Sequence, residues 1–169
     1  MLIKLYTDGA CKNNPGQGGW SCILSTVLSN GKVYEKEHSG GFRLTTNNRM
    51  EITAVIEGLL CVNGTDHEIE VYSDSKYVCD AFNSNWIENW KKNGWKTQNK
   101  KQVLNKDLWV KLSGLVEQFK SVKFIWVKGH SDNEYNIRCD NMAVYETRKG
   151  GNMQNIDEVY ERAYHEGVV

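Results

Sequence analysis

Residues 45–73 read TTNNRMEITAVIEGLLCVNGTDHEIEVYS, and this stretch decides the fold because its hydrophobic period changes partway along. Apolar residues recur at helical spacing over residues 50–60, and Thr45 or Thr46 can cap the start of that helix. Residues 68–72 then alternate in the way that a half-buried strand does. The stretch therefore predicts a helix that crosses over the sheet and leads into one of its strands.

The elements on either side of this stretch predict the rest of the sheet. Three β-rich runs precede it, with a turn at residues 16–19 before the second run and a hairpin turn at Asn30-Gly31 before the third. The predicted strands are 2–7, 20–28, 32–42, 68–72 and 122–127, and the predicted helices are 50–60, 74–82, 105–119 and 136–149. This order predicts an α/β fold whose mixed five-stranded sheet has three antiparallel N-terminal strands, then parallel strands, with helices packed on both faces.

Three carboxylates fall where this topology would bring them together. Asp8 and Asp74 each follow a strand, and a crossover connection places the carboxyl ends of its two parallel strands at the same edge of the sheet. Glu51 lies in the expected first turn of the crossover helix. Clustered carboxylates repel one another unless a proton or a cation bridges them, and oxygen ligands without histidine or cysteine favour Mg²⁺ or Mn²⁺. A metal site at this edge is therefore one hypothesis.

Length and composition limit the class of protein. A chain of 169 residues with 40% hydrophobic content can form one compact domain. It has no apolar run long enough for a membrane span and no signal-peptide core, so we expect a soluble, cytoplasmic protein without membrane partners. The five cysteines are an odd number without CxxC spacing, which favours reduced packing residues over disulfides or a zinc site.

The overall charge balance gives no sign of a polyanionic partner, because 21 basic residues match 21 acidic residues. The charge is local instead. Residues 86–106 carry six lysines and one acid, Glu88, interleaved with tryptophans. The charged residues among the last twenty are mainly acidic, and we expect this segment to form a peripheral tail.

Five strings in the sequence resemble those of type 1 ribonuclease H. They occur in the family's order and extend over residues 2–145. The strings are TDGACKNNPGQGGW, TTNNRMEITA, YSDSKYV, WIENWKKNGWKTQNKKQVLNKDLW and WVKGHSDNEYNIRCDNMA. The resemblance implies a ribonuclease H-like fold, with a catalytic domain at residues 1–149, a basic protrusion at about 84–106 and an acidic C-terminal tail at 150–169.

The same resemblance implies an activity and its residues. It implies an endonuclease that cuts the RNA strand of RNA–DNA hybrids and leaves 5′-phosphate and 3′-hydroxyl ends. Two Mg²⁺ ions, for which Mn²⁺ can substitute, would activate the water and stabilise the departing 3′ oxygen. The implied metal ligands are Asp8, Glu51, Asp74 and Asp140, with His130 as a mobile catalytic histidine and Glu51 beside the 2′-hydroxyl.

Each of these residues also has a purely structural interpretation. Asp8 could be a turn residue, Asp74 a helix N-cap, and Glu51 a partner of the helix dipole. Asp140 could lie on a solvated helix face, and His130 could be an exposed loop histidine. The four acids inside their family strings favour the catalytic interpretation over a non-catalytic hybrid-binding module or another metal-dependent nuclease of the same fold.

The resemblance also implies contacts with a hybrid duplex, bound by a monomeric enzyme. Small amides would contact the minor groove, a polar pocket would hold a DNA phosphate, and the protrusion would follow the backbone. The amides are Asn14, Asn47 and Asn48, the pocket residues are Thr46 and Asn105, and the protrusion residues are Trp86, Lys91 and Lys92. Packing within a helical hairpin is the alternative for the tryptophans, and we assign Trp90 and Trp109 to packing.

The sequence departs from the family pattern at three places. Leu44 stands where the phosphate pocket usually has an arginine, and Arg43 comes one residue earlier. Ser131-Asp132 stands where a glycine is common, and Ile137 stands where a glutamate is common.

Overall fold

The computed structural model describes residues 1–129, 132–149 and 155–169. Its five strands form one mixed sheet in the order β3-β2-β1-β4-β5, in which β1, β2 and β3 are antiparallel and β4 and β5 run parallel to β1. This confirms the predicted fold class. The strands are β1 (Leu2–Cys11), β2 (Gly16–Val27), β3 (Val33–Thr45), β4 (Glu68–Ser73) and β5 (Ser121–Trp126). The helices are α1 (Asn47–Leu60), α2 (Lys76–Asn83), α3 (Trp86–Lys92), α4 (Lys106–Gln118), α5 (Glu134–Thr147) and α6 (Glu158–His165).

Helices cover both faces of the sheet, because successive side chains of β1 point to opposite faces and each set includes a buried hydrophobic residue. Leu5 points to one face, where Gly58 of α1 lets the helix come close, since a Cβ there would lie 2.5 Å from a Leu5 methyl carbon. Tyr6 points to the other face and stacks on Tyr135 of α5, with 4.5 Å between ring centroids. Cys139 of α5 is also fully buried on that face. The sheet is therefore the middle layer of three.

β1 and β2 extend toward each other beyond their predicted ends, into the region where a turn was expected. β1 continues past Thr7 to Cys11, and β2 begins at Gly16, because the two strands keep pairing as far as Cys11 and Gly18. The predicted turn at residues 16–19 is therefore wrong. Glycine is needed there for close packing, since a Cβ at Gly19 would lie 2.1 Å from the carbonyl oxygen of Ala143 on α5.

The helix starts are set by capping side chains. The hydroxyl of Thr46 accepts a hydrogen bond from the third residue of α1, as one of the two predicted caps. The helix begins earlier than predicted, so Glu51 is its fifth residue and lies in the second turn. Asp74 is not an N-cap, because Ser75 caps α2. Asn133 caps α5, which starts two residues before the predicted position.

The described part of the C-terminal tail is packed against the sheet rather than peripheral. Asp157 accepts hydrogen bonds from the buried guanidinium of Arg49 and from the hydroxyl of Thr45. Glu161, one turn later on α6, accepts a bidentate pair of bonds from Arg43, from Nε to Oε2 and from Nη2 to Oε1. Because a buried arginine needs carboxylate partners, the acidic tail residues stabilise the end of β3 and the start of α1.

The structure also bears on the cysteines and on membrane insertion. All five cysteines are free, and Cys22, Cys79 and Cys139 are buried, as expected for reduced packing residues. Within the described ranges, each helix is too short or too polar to cross a lipid bilayer.

Candidate metal centre

Three carboxylates converge at one edge of the sheet. Asp8, Glu51 and Asp74 each place one oxygen within 4.8 Å of the others. The strand register explains why Asp8 and Asp74 lie close together. The last parallel pair of β1 and β4 is Tyr6 with Tyr72, and Asp8 and Asp74 each lie two residues beyond it. Asp8 is inside β1 rather than at its end, yet it lies past the parallel ladder, where ligand sites of such sheets are found.

Glu51 reaches this edge because Gly9 lets α1 approach β1. A Cβ at Gly9 would lie 2.5 Å from the backbone nitrogen of Glu51 and 2.6 Å from the carbonyl carbon of Met50. Met50 is fully buried, which fixes the helix at that point. The backbone N–H of Gly9 also donates to Asp8 Oδ1 at 2.9 Å. Gly9 therefore serves helix packing and carboxylate orientation, and not a turn.

The electrostatics of the cluster favour a bound cation. Burial raises the pKa of Asp8 from 3.8 to about 8, with added repulsion from Asp74 and Asp140. Burial raises the pKa of Glu51 well above its usual value, and Asp8 and Asp74 add to the effect. Among the described residues, Glu51 Oε2 is one of three buried side-chain polar atoms without a hydrogen-bond partner. A divalent cation bound by oxygen ligands would satisfy that atom and relieve the repulsion, so the residues fit Mg²⁺.

Asp140 faces the same site from the helix on the other side of the sheet. It lies on α5 and lines a cavity of about 380 Å³ together with Asp8 and Asp74, but it is not part of the tight group of three. The position of α5 against the sheet therefore determines how close Asp140 comes to the other acids. The remaining lining residues are Thr7, Lys128, Gly129, Asp132, Asn136 and Ile137.

Several of these lining residues were missed in the sequence. Asn136 and Asp140 are four residues apart on α5, a spacing that could have indicated a shared helix face. Thr7 Oγ1 is buried without a partner among the described residues, but nothing in its strand pattern marks it as a site residue. Asp132 and Ile137, two departures from the family pattern, both line the cavity.

The catalytic histidine predicted from the family string, His130, lies outside the described residues. Its neighbour Gly129 lines the cavity, and a Cβ there would lie 3.2 Å from Asp74 Oδ2. The role of His130 therefore stays a prediction.

Four of the predicted substrate residues make hydrogen bonds around the start of α1. Asn14 Oδ1 accepts a hydrogen bond from the backbone N–H of Asn47 at 3.0 Å. Arg49 joins the two pocket residues, because its backbone N–H donates to the Thr46 hydroxyl at 3.2 Å and its Nη1 donates to Asn105 Oδ1 at 3.4 Å. The structure thus brings these amides and the pocket residues together. Their contact with a substrate stays a prediction.

The tryptophans of the protrusion pack into one aromatic cluster with tilted rings, as the packing interpretation expects. Trp109 is fully buried, and Trp90 lies 5.7 Å from it between ring centroids. Trp86 is half-buried and lies 6.0 Å from Trp90 between ring centroids. Trp86 and Trp90 also line a groove of about 560 Å³. The other groove residues are Asn89, Asn93, Lys96, Thr97, Gln98 and Asn99.

The two predicted lysine contacts differ in their surroundings. The ammonium group of Lys91 contacts the carboxylate of Glu117 and lies 3.7 Å from that of Glu88. Lys92 is exposed. Asn48, the remaining predicted substrate residue, is exposed on the first turn of α1. A phosphate would therefore have to compete with Glu117 for Lys91.

The fold matches solved ribonuclease H structures. The crystal structure of LC9-RNase H1, a type 1 RNase H with the type 2 active-site motif, aligns with a TM-score of 0.78 at 26% identity and covers 99% of this chain and 82% of that chain. LC11-RNase H1, solved in complex with RNA/DNA hybrid, aligns with a TM-score of 0.63 at 23% identity over 87% of this chain and 97% of that chain. The fold is therefore that of ribonuclease H-like proteins.

Sequence similarity gives the family. The RNase H family model matches residues 2–148. Ribonuclease H of Acetivibrio thermocellus is 50% identical over 147 residues, which cover 87% of this chain and 95% of the relative. Ribonuclease H of Clostridium botulinum is 52% identical over 141 residues, covering 83% and 92%. The chain belongs to the ribonuclease H family and is an enzyme of that class, which confirms the resemblance found in the motifs.

Proposed function

We propose that this enzyme is an endonuclease that hydrolyses the RNA strand of RNA–DNA hybrids, using two Mg²⁺ ions, for which Mn²⁺ can substitute. The products carry 5′-phosphate and 3′-hydroxyl ends. The observation that supports this most directly is the cluster of Asp8, Glu51 and Asp74 within 4.8 Å, with Asp140 across the same cavity. Without a bound cation such a cluster destabilises the folded protein, because mutual repulsion and burial raise the free energy of the ionised carboxylates. A metal-binding role explains why the fold keeps it.

The four carboxylates divide the binding of the ions between them. When bound, the ions supply an activated water and neutralise the charge that develops on the leaving oxygen. Asp8 interacts with all three of the other acids, since Asp74 and Asp140 repel it and Glu51 lies in the same tight group, so it would serve as a shared ligand. Glu51 is the most buried of the four acids, with 4% of its surface exposed, and would hold an ion through its unpartnered Oε2. Asp74 and Asp140 are exposed residues of the same cavity and would complete the set of ligands.

The residues around the start of α1 select a hybrid duplex. Asn14, Asn47 and Asn48 can donate to and accept from 2′-hydroxyl groups in the minor groove, which a DNA strand lacks. Thr46 and Asn105 hold a phosphate of the DNA strand. The fold neighbour LC11-RNase H1 was solved with an RNA/DNA hybrid, which supports the same substrate here. We further propose that the enzyme acts as a cytoplasmic monomer.

His130 assists this reaction as a proton carrier or in release of the product phosphate. A histidine that titrates near neutral pH can do either, and the flanking Gly129 lines the cavity. The metal ligands carry the main chemistry, so His130 changes the rate and not the reaction.

One assay tests the proposed function. Labelled RNA–DNA hybrid, duplex RNA and duplex DNA are each incubated with the protein, once with Mg²⁺ and once with chelator. We expect cleavage of the RNA strand of the hybrid alone, with Mg²⁺ alone. Asp74→Asn should abolish it, whereas Glu68→Gln, which alters an exposed acid at the opposite end of β4, should not. Binding of the hybrid without cleavage at any Mg²⁺ concentration would instead show a non-catalytic binding module.

A further inference from the structure

A buried hydrogen bond ties the helix that carries Asp140 to the strand pair that carries Asp8. The Ser21 hydroxyl donates to the carbonyl oxygen of Cys139 at 2.6 Å. Ser21 is the cross-strand partner of Asp8 in the β1–β2 ladder, and Cys139 immediately precedes Asp140. Ser21 and Cys139 are both fully buried. The contact therefore joins the immediate neighbours of two proposed metal ligands.

A second bond reaches the same point of α5 from the neighbouring strand β1. The Cys139 thiol donates to the carbonyl oxygen of Tyr6 at 3.5 Å, and Tyr6 lies two residues before Asp8. The helix also lies directly on β2 nearby, because a Cβ at Gly19 would come within 2.1 Å of the Ala143 carbonyl oxygen. Cys139 is thus held by both strands of the pair, and the serine hydroxyl is enclosed between helix and sheet.

We propose that Ser21 is a positioning residue that sets the separation of Asp140 from Asp8 and thereby the affinity of the site for Mg²⁺. This rests on the proposed function. Asp140 is not part of the tight group of three acids, so its approach depends on how α5 is placed. Two ions about 3.5–4 Å apart require ligands held to a fraction of an ångström. Groups that orient a metal ligand typically change metal affinity by about 10–100-fold when they are lost.

The chain offers a matched control on the same strand. Ser25 shares a hydrogen bond with the hydroxyl of Tyr135 on α5 at 3.4 Å, so it too connects β2 to this helix. It faces the same side as Ser21 but pairs with Lys4, four residues farther from the carboxylates along the ladder. Ser25→Ala therefore removes a β2–α5 bond at a distance from the metal centre.

The test compares the parent with Ser21→Ala and Ser25→Ala in three measurements. Calorimetry gives Mg²⁺ affinity without substrate. Thermal unfolding gives the rise in melting temperature from chelator to Mg²⁺, which depends on that affinity. Cleavage of hybrid is followed as Mg²⁺ is titrated. For Ser21→Ala we expect an Mg²⁺ dissociation constant about 10-fold higher, a smaller melting shift and a matching rise in the Mg²⁺ midpoint of activity. Ser25→Ala should keep the parent's Mg²⁺ affinity.

The outcomes separate this proposal from its alternatives. Unchanged Mg²⁺ affinity in Ser21→Ala overturns it. Equal weakening in Ser21→Ala and Ser25→Ala also overturns it, because the bond would then serve helix docking in general. A parent that binds Mg²⁺ but does not cleave hybrid overturns the proposed function alone, while calorimetry still decides the role of Ser21. A parent that binds no Mg²⁺ overturns both.

Discussion

Replacing Asp8 with asparagine should stabilise the metal-free protein, and by an amount that depends on pH. The pKa of Asp8 is raised from 3.8 to about 8 in the folded protein, first by burial and then by repulsion from Asp74 and Asp140. Between these two values the folded state binds a proton that the unfolded chain does not. The free energy of unfolding therefore falls as pH rises from about 4 to about 8. Asparagine carries no charge at any of these pH values and removes this dependence.

The magnitude follows from the same interval. At about 1.4 kcal/mol per pH unit, the rise from 3.8 to about 8 gives an upper bound of about 6 kcal/mol at high pH. Neighbouring carboxylates share protons with Asp8 and relieve part of this cost. We therefore expect Asp8→Asn to gain about 2–4 kcal/mol over the parent at pH 8.5 and much less at pH 4.5.

The assay is urea unfolding in chelator across pH 4.5 to 8.5, with Glu68→Gln as a control that alters an exposed carboxylate. Added Mg²⁺ should stabilise the parent at high pH, because bound ions neutralise the ionised carboxylates as protons do at low pH. Asp8→Asn has lost one of these carboxylates, so added Mg²⁺ should stabilise it less. A constant difference between Asp8→Asn and the parent at all pH values would refute this reasoning, because it would show a packing effect and not a charge effect. A loss of stability in Asp8→Asn at pH 8.5 would refute it as well.

The remaining predictions concern catalysis and binding. Glu51→Gln and Asp74→Asn should abolish Mg²⁺-dependent cleavage and keep the circular dichroism spectrum of the parent; cleavage near the parent rate would remove that residue from the metal site. His130→Ala should slow turnover by about 10²–10⁴-fold at most, and a pH–rate profile identical to the parent's from about pH 6 to 9 would show that His130 takes no part. Lys92→Ala should weaken hybrid binding and reduce the slope of log affinity against log salt by about one, with turnover at saturating hybrid unchanged. Lys91→Ala should change the slope less, because Glu117 already neutralises Lys91; equal slopes for both variants would contradict this.

Much of the fold could be predicted because hydrophobic periodicity is a local property of the sequence and the order of the elements restricts the topology. The change from helical to strand spacing after α1 is enough to indicate a parallel pair of strands. The turn at residues 16–19 was wrong because glycines are typical of turns and of close packing alike. The pairing of β2 with β1 and the carbonyl oxygen of Ala143 on α5, 2.1 Å from a Cβ at Gly19, show that close packing is the reason here.

The C-terminal tail shows what a single sequence cannot supply. Acidic residues at the end of a chain are usually solvated, and nothing near Asp157 marks it as buried. Its partner Arg49 lies more than a hundred residues earlier, inside the string that suggested the family. Asp157 is buried because it pairs with a distant arginine, and such a pairing leaves no pattern in the residues around it. The prediction of a peripheral tail was therefore wrong for the described part of this segment.

The proposed metal ligands differ in how they are positioned, and this difference explains which were easy to place. Asp8 and Asp74 are fixed by strand register, which the topology determines, so their convergence could be predicted from the order of the strands and the crossover helix. Glu51 and Asp140 lie on helices, and their distances from Asp8 depend on how closely each helix packs on the sheet. That packing involves residues that are not proposed ligands: Gly9, which has no Cβ, under α1, and Ser21, whose hydroxyl bonds α5. Strand register changes only in steps of one residue, and one step would turn an acid to the wrong face of the sheet. The position of a helix on the sheet can instead vary continuously, by tenths of an ångström. Strand register thus supplies the cluster, and helix docking should determine how tightly it binds its ions.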